Sequence, residues 1–138
     1  MVPPMSQPAR IVLAVSLSLA LLQLGACRKA ASAKQESKEF VVAPGKFAEV
    51  NVRMVAKAKV TATFKADAKV QWDTHSHPLG KTVYHSKGED ASGKLAITAD
   101  KQATYSFLWK NDSAKPIKLR VTLNLPRGTE VDSWVGHK

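Results

Sequence analysis

The feature that most constrains this chain is a strict alternation of apolar and polar residues in its last third. Over residues 116–125, Ile117, Leu119, Val121, Leu123 and Leu125 fall on one side of an extended chain, and Lys118, Arg120, Thr122 and Asn124 on the other. Successive strand side chains point to opposite faces, so this period of two fits a half-buried strand and not a helix. Residues 103–110 repeat the pattern with Tyr105, Phe107 and Trp109 on one face, and residues 59–65 with Val60, Ala62 and Phe64. Turn signals separate the segments: Pro44-Gly45, Pro78-Leu79-Gly80 and Asn111-Asp112-Ser113-Ala114. Counting 40–43, 47–55, 60–65, 68–75, 81–86, 94–98, 103–110 and 116–125 predicts about eight strands and no sizeable helix. The expected fold is an all-β antiparallel sandwich, jelly-roll-like in outline, with residues 87–92 as a polar loop.

The first 27 residues follow another logic. Residues 11–22 (IVLAVSLSLALL) form an apolar run behind a short segment whose single charge is Arg10. Twelve residues reach about 18 Å as a helix. A membrane span needs about 20 residues, so the run fits the apolar region of a secretory signal better than a span. Leu24-Gly25-Ala26-Cys27 follows it and resembles the bacterial lipobox. That resemblance implies a diacylglyceryl group on the Cys27 thiol, cleavage just before it, and acylation of the new amine. Three acyl chains, at about 0.8 kcal/mol per buried methylene, make such an anchor close to permanent. The competing reading is an unmodified cysteine discarded with its signal. Cys27 is the only cysteine, so no internal disulfide can form.

The expected organisation is a signal peptide over 1–26, a lipidated cysteine and flexible tether over 27–39, a sandwich over 40–126 and a tail over 127–138. The tether reading rests on Lys, Ala, Ser and Glu without an apolar period. Trp134 in the tail is expected to fold back onto the sandwich. The expected location is the cell envelope, facing the periplasm. Arg28 stands where the enterobacterial sorting pattern would carry an inner-membrane Asp, which favours the outer membrane.

The chain holds 21 Lys and Arg against 11 Asp and Glu, a formal charge of +10. The lysines are scattered along outward strand positions, without a tight run or an RNA-binding signature. We therefore expect no nucleic-acid partner. Attraction to anionic headgroups or envelope polymers is the better reading of the charge.

Within the β region, Ala43-Pro44-Gly45-Lys46-Phe47, Val70-Gln71-Trp72-Asp73 with the Pro78-x-Gly80 turn, and Thr104-Tyr105-Ser106-Phe107 leading to Asn111 resemble the GOLD domain. This is the β-sandwich of lumenal cargo adaptors. Ala103 stands where that family tends to carry a glycine, and the disulfide of its eukaryotic members has no counterpart here. The resemblance implies a non-enzymatic binding sandwich. Its partner would be another envelope protein or polymer.

One cluster suggests chemistry. In Asp73-Thr74-His75-Ser76-His77, the spacing of two puts Asp73, His75 and His77 on one strand face. Two imidazoles and a carboxylate can hold Cu or Zn, and His85 across the turn is a candidate third nitrogen. Glu89 and Asp90 are spare oxygen donors. If Trp72 is core, His75 faces outward, while His85 shares parity with Val83. Only a bulge or an early strand end would let His85 join. The alternative is a set of surface and turn histidines, and His137 has no assigned role. No nucleophile motif, His-Glu-x-x-His or phosphate loop is present, so no enzyme is expected. Tyr105, Phe107 and Trp109 read as core before they read as a ligand platform.

Overall fold

The computed structural model describes residues 33–136. The expected signal, Cys27 and His137 lie outside the described residues. Seven antiparallel strands form a nearly closed, barrel-like sandwich. They are β1 (Lys34–Val42), β2 (Phe47–Met54), β3 (Lys59–Ser76), β4 (Val83–Thr98), β5 (Ala103–Lys110), β6 (Ile117–Leu125) and β7 (Thr129–Gly136). Among the described residues no helix is long and apolar enough to cross a membrane.

The long β3–β4 hairpin belongs to both halves of the sandwich. The first part of β3 pairs with β6 and with the end of β4, giving the order β1-β6-β3-β4. The second part pairs with β5 and with the start of β4, giving β7-β2-β5-β3-β4. The bend sits at residues 66–69. There the ladder steps from Lys65↔Ser92 to Val70↔Asp90, so four residues of β3 face a single residue of β4. Excess residues on one strand bend it and raise its twist. This bend merges the strands expected at 60–65 and 68–75. It likewise joins 81–86 to 94–98 and turns the expected 87–92 loop into ladder.

Glycines allow that merger. A Cβ on Gly88 would lie 2.3 Å from the Trp72 ring, and one on Gly93 would lie 3.0 Å from the Phe64 ring. Each aromatic lies across the glycine directly opposite it on β4. In the Pro44-Gly45 turn, Gly45 takes a φ of 72°, a left-handed value that glycine adopts without steric cost.

The core lies between the halves. Val50, Phe64, Phe107, Trp109, Leu119 and Leu123 are each no more than 2% exposed. Tyr105, Phe107 and Trp109 are thus core, and the ligand-platform alternative falls. Trp109 Nε1 is buried without a hydrogen-bond acceptor among the described residues. Asn111 pins the end of the core. Its Nδ2 donates to the carbonyls of Val42 and Lys115, and its Oδ1 accepts from the Ser113 backbone and hydroxyl.

Both ends of the β domain extend past the expected limits. β1 starts at Lys34, inside the stretch read as tether, and pairs with β6 along its whole length. Its inward positions include Lys34, Glu36 and Lys38, so no apolar period marks it. The expected tail holds β7, which pairs with β2 through a shift between Asn51 and Val52. That irregularity breaks the alternation that would have revealed it. β1 and β7 face each other across an open seam. Phe40 and Trp134 close it with ring centroids 5.9 Å apart, and Lys38 Nζ lies 5.6 Å from the Phe40 ring. A Cβ on Gly136 would lie 2.6 Å from Phe40, so only a glycine lets the strands approach this closely.

Candidate functional site

The Asp73–His77 segment forms the last turnward part of β3, where the strand pairs with β5 on one side and β4 on the other. Register fixes the facing. Trp72, Thr74 and Ser76 pair with Trp109, Phe107 and Tyr105, which are inward. Asp73 and His75 pair with Leu108 and Ser106 and so face outward. His75 is nevertheless only 5% exposed. His77 and Tyr84 pack against its ring, at centroid distances of 4.8 Å and 5.9 Å.

The Asp73 carboxylate meets His75 Nδ1 at 2.6 Å. An ionised carboxylate only accepts, so Nδ1 carries the hydrogen and Nε2 is the nitrogen left to offer a lone pair. The His77 ring stands edge-on to His75, at 78° between planes, and its Nδ1 is 3.3 Å from Thr82 Oγ1.

Behind His75 runs a polar row that crosses the sheet. Tyr84, His75, Ser106, Asn51 and Ser133 are direct partners on five adjacent strands. The Ser106 hydroxyl donates to Asn51 Oδ1 at 2.5 Å, and Asn51 Nδ2 donates to Ser133 Oγ at 3.0 Å. Ser106 is 1% exposed, a polar group buried on the side of the sheet away from the core. Sequence reading missed this row. Each member is an ordinary outward polar residue, and only the register of five strands aligns them.

His85 does not join this cluster. The ladder steps from Thr74↔Ser86 to His75↔Tyr84, leaving His85 as the extra residue of a bulge. Its Nε2 lies 3.0 Å from Ser76 Oγ, and its ring packs 5.8 Å from Tyr105. It therefore sits on the inward side, opposite His75. The bulge that could have brought it to His75 instead turns it away. Asp73 is engaged by His75, and Asp90 accepts from Trp72 Nε1 at 3.0 Å. Among the described residues no group of three or more His, Cys, Asp or Glu is arranged to hold a metal. Of the four residues singled out from sequence, His75 and His77 pack together, Asp73 bonds His75, and His85 lies apart.

Beside the pair lies a groove of about 390 Å³, walled by Asp73, Tyr84, Leu108 and Lys110. Lys87 covers the Tyr84 ring at 3.7 Å. A larger cleft of about 1030 Å³ lies by the β1–β7 seam, lined by Phe40, Ala66, Leu119 and Trp134. Its walls are mainly apolar, and Arg120 at its rim is already paired with Glu39. The convergence of polar side chains makes the His75 region the candidate site.

No family model matches the chain, and no curated protein matches it.

Proposed function

We propose that this protein is a non-catalytic, GOLD-like binding module. A lipid on Cys27 would hold it to a cell-envelope membrane, and its sandwich would meet another envelope protein or polymer. The observation that carries this reading is Leu24-Gly25-Ala26-Cys27 placed one residue behind a twelve-residue apolar run. The seven residues from Cys27 to the start of β1 could span at most about 25 Å, which keeps the module close to the lipid surface. The outer membrane is the favoured site, from Arg28.

The split of catalytic residue types supports a binding role. Ser76 contacts His85 on the inward side, while the carboxylate-held imidazole, His75, faces outward. A hydrolytic triad needs nucleophile, base and orienting acid in one line. Here they lie on two sides of a strand.

The anchor is tested by expressing the full chain and its Cys27→Ser variant, labelling with a clickable fatty acid and separating membranes. The wild type should carry label and sediment with membranes, and the variant should do neither. A labelled, membrane-bound Cys27→Ser protein would refute the reading.

A second reading, binding of Cu or Zn, is favoured by the Asp73 carboxylate on His75 Nδ1. A carboxylate that fixes the tautomer and aim of an imidazole is the usual outer support of a ligating histidine. Saturable Cu(II) or Zn(II) uptake that disappears in His75→Ala/His77→Ala would support it.

A further inference from the structure

Resting on that second reading, we infer that His75 and His77 form a two-nitrogen site for Cu(II) that is incomplete by construction. Asp73 is its positioning residue, and an imidazole from outside the chain completes it. Four observations lead there. Asp73 occupies His75 Nδ1 at 2.6 Å, which commits Nε2 to the ligand side. No hydrogen-bond partner meets that Nε2 among the described residues, and it is not sealed from solvent, since Trp109 Nε1 is the one buried side-chain polar atom left unpartnered. Thr82 Oγ1 lies 3.3 Å from Nδ1 of His77, and in the tautomer in which that Nδ1 donates to the hydroxyl, Nε2 is left for a ligand. The two rings lie 4.8 Å apart. Two imidazoles sharing an ion at about 2.0–2.1 Å, with a bite near a right angle, have centroids about 4.5 Å apart.

The rest of the neighbourhood explains the incompleteness. His85 is turned inward onto Ser76, Asp90 is held by Trp72, and Asp73 is spent on the brace. The chain thus offers two imidazole nitrogens. Cu(II) binds such donors most strongly among the divalent first-row ions and favours four donors in a tetragonal plane. Two positions in that plane remain for water or for an external donor. Imidazole suits Cu(II) and exchanges readily with water. An exposed histidine of a partner protein would supply it, which makes the ion the joint between module and partner.

The test uses the full chain in detergent, titrated with Cu(II) as the probe and followed by electron paramagnetic resonance and visible absorption. Free imidazole is then added to the one-to-one complex. The wild type should bind one Cu(II), and His77→Ala, an exposed position, should bind at least tenfold more weakly. His85→Ala should bind within about twofold of wild type. Asp73→Asn should weaken binding about 10- to 100-fold with an unchanged unfolding midpoint, and Asp73→Glu should recover part of it. Imidazole should shift the copper spectrum and saturate by about two equivalents. No saturable binding, or binding that His75→Ala and His77→Ala both retain, would overturn the metal reading and this inference together. Histidine-dependent binding with a spectrum that imidazole leaves unmoved would overturn the inference alone. A His85→Ala loss as large as that of His77→Ala would also overturn it, because the site would then be closed by a third ligand.

Discussion

The two halves of the sandwich use polar side chains on their outer faces in opposite ways. In the β1-β6-β3 half, Gln35, Asn124 and Thr61 form a row across three strands, and Ser37 meets Thr122 below it at 2.8 Å. These groups are largely open to water, which can replace any bond they lose. In the β7-β2-β5-β3 half, the corresponding row runs from half-buried Ser133 and Asn51 to Ser106 and His75, which are buried. Water cannot rescue a bond broken there. The first row decorates a surface. The second fixes an imidazole in one tautomer and one direction.

Three measurements would break or sharpen this contrast. The largest effect is expected at the aromatic–glycine pairs, one in each half. Gly88→Ala would force a Cβ to within 2.3 Å of Trp72 and displace the ring from Asp90. Overpacking of this kind costs about 1–3 kcal/mol, and we expect Gly88→Ala in the upper part of that range. Gly93→Ala meets Phe64 at 3.0 Å and should cost less. Urea unfolding of both variants gives the order, and equal losses would show that the two halves pack alike.

Next come the rows themselves. Asn51→Ala strands the buried Ser106 hydroxyl, so a loss of about 1–3 kcal/mol is expected. Asn124→Ala on the open row should stay within about 0.5 kcal/mol of wild type. Similar losses in the two variants would erase the distinction drawn between the rows.

The smallest effect concerns Tyr105, whose hydroxyl donates to Asp100 at the β4–β5 turn. That bond holds the Asp100 carboxyl below its ordinary range, while burial, followed by the Asp100 bond, raises the Tyr105 hydroxyl. A lowered carboxyl contributes stability that is fully present above its unfolded value, near 3.9, and is lost as pH falls through the folded value. A raised phenol contributes stability that is present below its unfolded value, near 10, and is lost as pH rises through the folded value. Tyr105→Phe should therefore flatten both limbs of the stability–pH profile and leave its neutral plateau slightly lower. Thermal melts from pH 2 to 11 would show it, and unchanged limbs would contradict the assigned causes.

The β character of the chain and most of its core were legible because apolar residues recur with period two on β2, β3, β5 and β6. Ile117 to Leu125 needed no partner to be read. β1 and β7 were hidden for a shared physical reason: each lies at the open seam, where inward positions need not be apolar. Lys34, Glu36 and Lys38 on β1 look like tether, and the shift beside Val52 scrambles the pattern on β7. The His75 region was partly legible. Parity alone placed Asp73 with His75, and it raised the conflict over His85. The bulge that resolved the conflict depends on how β4 pairs with β3, and no local signal at His85 announces it. The buried row behind His75 was illegible for the same reason, since it exists only as register.

The seam has one more consequence. Phe40 meets Trp134 and Gly136, while the charge of Glu130 reaches Lys34, so β1 and β7 run in the same direction along it. The domain therefore has a head and a foot. The chain enters at the foot, beside Glu130. The strands that carry His75 place His77 and the Pro78–Gly80 turn beyond the Tyr105–Val52 level, toward that same end. The imidazoles thus lie toward the end where β1 begins, and the Asn111 turn lies at the far end.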